Sequence, residues 1–262
     1  NLDGDFTATV DAGSVAAADL NTISAKTSGT ITASNATTIT GTASAVAAVV
    51  ADSQITVASD YAVTITPAGA AAAGDLNNIN GDTTGTVTAT NVTNLTGTAA
   101  AMATLMAAEA DSGNAINLDG DFTATVDAGS VAAADLNTIS AKTSGTITAT
   151  AATTITGSAA DINTLIADTE VNIDNDYLVT ISSGSHSAAH LNTINGDTSA
   201  LVTATDVTAL TGTAAQINTL VGNEGDTGNA VNLDGNYTAT ITDTTVAASV
   251  LSDLNGNVPG LI

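Results

Sequence analysis

Residues 1–33 read NLDGDFTATVDAGSVAAADLNTISAKTSGTITA, and the same letters return unchanged at residues 117–149, an offset of 116. A diverged third copy opens at Asn232 with NLDGNYTATITDTTVAASVLSDLNGN. Inside this long period two unit types alternate. The first type reads NLDGDFTATVDAGSVAAADLNTISAKTSG at 1–29, and the second reads TITASNATTITGTASAVAAVVADSQ at 30–54. Together they divide the chain into nine units, at about 1–29, 30–54, 55–85, 86–115, 116–145, 146–170, 171–200, 201–230 and 231–262. No linker or shift in composition interrupts them, so the expectation is one continuous repeat domain over 1–262.

Each unit carries the same internal order. A period-2 segment comes first, as in Phe6-Thr-Ala-Thr-Val10, Tyr61-Ala-Val-Thr-Ile65 and Val87-Thr-Ala-Thr90. Apolar and hydroxyl residues alternating in this way suit a strand with one wet face. A small helix follows. In Ser158-Ala-Ala-Asp161-Ile-Asn-Thr-Leu-Ile166 the Ser can cap the first turn with Asp161 at N3, and Ile162, Leu165 and Ile166 share one face. Turns rich in Gly, Asn, Asp and Ser lead to the next unit. One strand and a helix of one or two turns cannot bury an apolar face alone, whereas stacked units with equivalent strands in parallel can. The fold class expected is a repeat solenoid: a parallel β-solenoid with short Ala-rich helices in each repeat, forming an elongated rod.

Composition narrows the function. The 262 residues include 26 acidic side chains against two Lys and no Arg, a formal net charge of −24. Such a chain has nothing to neutralise phosphates, which argues against nucleic acids and anionic membranes as partners. With no Cys there is no disulfide, thiolate nucleophile or Cys-held metal. No apolar run approaches the ~20 residues of a membrane span. The chain does not start with Met and shows no signal peptide, which suggests a mature product or an excerpt of something longer. At 44% apolar residues and positive mean hydropathy it should fold rather than stay disordered.

Carboxylates are the richest candidate material. Asp3 and Asp5, Asp119 and Asp121, and Asp174 and Asp176 recur at one turn, with Asp234 a weaker version beside Asn236. Hard oxygen ligands on Gly-containing turns fit Ca2+, and these seven Asp residues are the candidate metal ligands; the competing reading is that Asp and Asn simply make good turns. No cofactor is required otherwise. Thr-x-Thr pairs (7/9, 30/32, 64/66, 86/88, 123/125, 146/148, 203/205 and 238/240) resemble the flat hydroxyl arrays of ice-binding solenoids, or simply suit a strand's exposed face. All five aromatics, Phe6, Tyr61, Phe122, Tyr177 and Tyr237, hold one position of the first unit type. That fits a packed ladder better than a sugar-binding strip. His186 and His190 have metal-ligand spacing on a helix but lack an evident third ligand, so local drift is the favoured reading. Asn21, Asn77, Asn137, Asn163, Asn192 and Asn218 follow the helix apolar residue and suggest a buried amide ladder between units. No unique polar constellation recommends an enzyme.

The stretches TGTAAQINTLVGN (211–223), ITDTTVAASVLSDLNGN (241–257) and TVTATNVTNLTGTAA (86–100) resemble repeats of very large secreted or cell-surface proteins of cyanobacteria and other aquatic bacteria, of the hemolysin-type, calcium-binding-like group. The resemblance extends over all nine units and implies an extracellular or cell-surface structural or adhesive role. That group's nonapeptide G-G-x-G-x-D is absent, so no binding residue carries over. The expectation is a non-enzymatic part of a surface layer, sheath, adhesin stalk or self-assembling filament. Its partners would be itself, end to end or laterally, or further repeats of a longer chain. A calcium-binding module, and after it an ice-binding solenoid, are the alternatives.

Overall fold

The computed structural model describes residues 4–109, 116–225, 227–233, 235–260 and 262. Among these, strands alternate with nine helices: α1 Ala17–Ser24, α2 Ala43–Ala51, α3 Ala73–Asp82, α4 Ala99–Glu109, α5 Ala133–Ser140, α6 Ala159–Ile166, α7 Ala188–Asp197, α8 Ala214–Gly222 and α9 Ala248–Asn257. Contacts group the chain into two compact bodies, Asn1–Val126 with Ile139–Ile147, and Asp127–Thr138 with Thr148–Ile262.

The two unit types start their helices differently. In the second type a Gly at positive φ (Gly41 φ 154, Gly97 φ 130, Gly157 φ 146) turns the chain out of a strand. The next residue, Thr42, Thr98 or Ser158, then accepts a hydrogen bond from the N–H three residues on, at 3.1–3.2 Å. A Cβ on Gly41 would also stand 3.3 Å from the Ala17 Cβ, so φ and space both call for Gly. Around α8 a full capping box forms. Gln216 N–H donates to Thr213 Oγ1 at 3.2 Å, and Thr213 N–H to Gln216 Oε1 at 2.9 Å. In the first type the helix grows straight out of a strand such as Gly69–Ala72, and α1, α3 and α7 lack a side-chain cap.

In the first body a five-stranded parallel sheet runs Gly13–Ala16, Ala36–Gly41, Ala62–Ile65, Val87–Ala89, Ile116–Leu118. Its register sets Ile39, Val63, Val87 and Ile116 side by side, all fully buried. A second sheet pairs Ala8–Thr9 with Ile31–Ala33 and that with Ile55–Val57, and Val92–Gly97 lies between Gly69–Ala72 and Thr123–Val126. Helices α1, α2, α3 and α4 pack in succession and bury Leu20, Val46, Leu76 and Met102. The second body repeats the scheme. Its five-stranded parallel sheet runs Gly129–Ala132, Ala152–Gly157, Leu178–Ile181, Val202–Ala204, Val231–Leu233, and a three-stranded one runs Gly184–Ser187, Val207–Gly212, Thr238–Ile241. There α6 to α9 follow one another.

This alternating α/β architecture overturns the expected parallel β-solenoid rod with short helices, in two respects. First, the helix is the longest element in every unit, at eight to eleven residues or about two to three turns, while strands run two to six residues. Second, equivalent strands do not form an endless ladder. A first-type unit such as 55–85 carries three strands, its second-type neighbours two. Pairing therefore passes from Ala36–Gly41, the second strand of its unit, to Ala62–Ile65, the second of three, and then to Val87–Ala89, a first strand. Each extra strand opens a new sheet and ends an old one. The helix expected over Ser158–Ile166 spans Ala159–Ile166, with Ile162 and Leu165 buried. Among the described residues no helix is long and apolar enough to cross a membrane.

Candidate functional site

The candidate calcium carboxylates do not come together. Asp5, Asp119, Asp121, Asp174 and Asp176 are all exposed, while Asp3 and Asp234 lie outside the described residues. Among the described residues no group of three or more His, Asp or Glu side chains could hold a metal ion. The turn carbonyls are already engaged. Gly4 O accepts from Ser28 N–H at 2.7 Å, Gly120 O from Ser144 N–H at 2.8 Å and Asn175 O from Ser199 N–H at 2.7 Å. Among the described residues, these turns latch the loop before a strand to the loop after the following helix.

That latch has an inner half, which carries the most distinctive chemistry of the chain. Tyr61 and Phe122 are buried, and each backbone carbonyl accepts the hydroxyl of a buried Thr, Thr83 and Thr143 respectively, at 2.5 Å. The same hydroxyl accepts the N–H of Gly85 or Gly145, two residues on, at 3.0 Å. Thr27 holds Phe6 O in the same way, and Thr198 holds Tyr177 O at 2.5 Å with Ala200 N–H behind it. A Cβ on Gly85 would overlap the Tyr61 carbonyl, which accounts for Gly in that turn. This clasp escapes a composition reading because Thr is everywhere. Its sequence signal is the Thr-x-Gly spacing at 27/29, 83/85 and 143/145.

Tyr61, Phe122, Tyr177 and Tyr237 are all almost fully buried, which leaves none of these four a ring face for a sugar, and Phe6 is partly buried. The Tyr61 hydroxyl donates to Asp82 Oδ2 at 2.7 Å and Tyr177 to Asp197 Oδ2 at 2.5 Å. Burial first, then the hydrogen bond to the carboxylate and its charge, push both phenols well above their ordinary pKa. Tyr237 is pushed up to about 12 by burial and by the charge of Glu224.

The remaining candidates resolve into packing. The amides of Asn21, Asn77, Asn137 and Asn192 do not ladder on one another. Each Nδ2 donates to a backbone carbonyl in the first turn of the next helix, Ala45, Ala101, Asp161 or Gln216, at 2.8–3.0 Å. Thr-x-Thr pairs are mostly split: Thr9, Thr32, Thr64, Thr88, Thr148 and Thr203 lie in strands and their pair-mates outside them, whereas 123/125 and 238/240 keep both members. His186 is buried. Its Nδ1 accepts from Ala159 N–H, the first N–H of α6, at 3.4 Å, and Nε2–H donates to Ser182 O at 2.8 Å. It thus closes a helix N-terminus. Asp243 Oδ2 does the same for Ala214 N–H of α8 at 2.7 Å. Lys142 and Glu109 form a partly exposed ion pair at 3.6 Å, a contact of roughly 0–1 kcal/mol.

The protein therefore belongs to the alternating α/β class, with hydrogen bonds that recur within and between units among the described residues. No family model, curated protein or solved structure matches the chain.

Proposed function

We propose that this chain is a non-catalytic structural repeat module, working outside the cell in a surface layer, sheath, adhesin stalk or filament and assembling with other copies of itself. One observation carries the reading. Among the described residues, the buried Thr hydroxyls at 27, 83, 143 and 198 each close the turn of their own unit, and the helix amides at 21, 77, 137 and 192 each join one unit to the next, so the polar side chains repeat two structural tasks. Catalysis needs an asymmetric group of such residues at one place. A net charge of −24 suits a body that works in salt, where self-repulsion is screened to within ~3–10 Å. The test is sedimentation and electron microscopy of the purified chain across concentration, at low salt and at ~0.5 M salt. Ordered multimers that grow with concentration and salt are expected. Monomers under every condition would overturn the reading.

A further inference from the structure

Aligning the first-type units on their aromatic residue lines up two further positions in the turn after the helix. The first reads Lys26, Asp82, Lys142, Asp197 and Asn257; the second reads Thr27, Thr83, Thr143, Thr198 and Val258. Both positions act as locks on the aromatic residue. Where that residue is Tyr61 or Tyr177, its hydroxyl donates to the Asp, at 2.7 and 2.5 Å. Where it is Phe6 or Phe122, with no hydroxyl to pair, Lys stands in place of the Asp. At the second position the Thr hydroxyl donates to the aromatic residue's carbonyl in all four of the other units.

Unit 231–262 keeps the backbone of this turn and lacks both locks. A Cβ on Gly260 would overlap the Tyr237 carbonyl, as one on Gly85 would overlap that of Tyr61, so the chain returns equally close. Val258 is buried in the clasp position, as Thr83 and Thr198 are in theirs. Its side chain offers no hydroxyl to Tyr237 O or to Gly260 N–H. Asn257 stands where Asp82 and Asp197 stand, and among the described residues the buried Tyr237 hydroxyl has no hydrogen-bond partner. Polar groups buried without partners favour an opened turn, in which water reaches them.

We infer that unit 231–262 is a built-in weak point: its turn at 257–260 lets go of Tyr237 and releases α9 while the locked first-type units stay shut. The inference goes beyond the structural role proposed above and does not depend on whether copies assemble. It rests on the residues at 257 and 258, and the same two residues would loosen this turn in any unit whose aromatic is Tyr. In a protein that bears tension such a unit yields first and takes up strain before the locked units part.

Hydrogen exchange of the full chain, read by mass spectrometry at neutral pH, tests this. Amides over 248–258 should exchange at least about tenfold faster than those over 188–198. The deciding comparison is the restored lock. Val258→Thr with Asn257→Asp should slow exchange over 248–258 at least about tenfold, each substitution alone giving part of that. The reverse change, Thr198→Val with Asp197→Asn, should speed exchange over 188–198 by a similar factor. Wild-type α9 as protected as α7, or a restored chain within about twofold of wild type over 248–258, would overturn the inference. Should the restored chain not fold, the reverse change decides alone, and unchanged exchange over 188–198 overturns it.

Discussion

Replacing Thr83 by Val preserves shape and β-branching but deletes one hydroxyl, and so probes the clasp directly. That hydroxyl sits in a side chain 2% exposed, donates to Tyr61 O at 2.5 Å and accepts from Gly85 N–H at 3.0 Å. Water cannot readily reach either group left behind. Two neutral hydrogen bonds are lost at ~0.5–1.5 kcal/mol each, and a buried donor and acceptor are orphaned, for a total of roughly 2–4 kcal/mol. With a urea m-value of about 2–3 kcal/mol/M the midpoint should fall by roughly 1 M at constant m. The control is Thr104→Val, which removes an exposed bond to Ala100 O inside α4 and should change stability by no more than about 0.5 kcal/mol. Thr83→Ser keeps the hydroxyl and should recover most of the loss. If Thr83→Val unfolds within about 0.5 kcal/mol of Thr104→Val, the clasp does not hold its unit closed and the reasoning fails.

Leu76→Ala, at a fully buried helix position, should cost about 2–5 kcal/mol by urea unfolding, while Leu251→Ala should cost less than about 1 kcal/mol in the dissociated chain. Tyr61, Tyr177 and Tyr237 should form phenolate, followed by absorbance near 295 nm, only well above the ordinary value of about 10, with Tyr237 near 12. The unfolded chain then releases phenolic protons first. Stability is full below about pH 10 and is lost as pH rises through the folded-state values; a melting temperature flat from pH 9 to 12 would contradict this. Calcium and magnesium at equal concentration should raise the melting temperature alike by screening dispersed carboxylates, and a calcium-only rise of many degrees would reveal a site that the described residues do not form.

Much of the local structure was legible in the letters. The stripe Ile162, Leu165 announced α6, the Ser158 cap placed its start, and the single aromatic position of the first unit type marked a buried corner. The number of strands per unit was not legible. One strand per unit was expected, yet Gly13-Ser-Val-Ala16 also pairs with Ala36–Gly41, through a register shift after Gly13. Alternation over four small residues is too weak to distinguish a strand from a helix start. The carboxylates were ambiguous for a related reason. Asp beside Gly is equally the composition of a tight turn and of a metal loop, so the letters alone do not choose between them.

From the amino-acid order alone came the repeat, its two alternating unit types, the strongly acidic charge, and the residues each unit would bury. These follow from short-range periodicity, which any stretch of chain displays by itself. Only the folded molecule decided how sheets pass from unit to unit and which hydroxyl closes on which carbonyl. Those depend on parallel partners about 20–30 residues away, and a strand's neighbour is set by the geometry of the whole unit rather than by the strand's own letters.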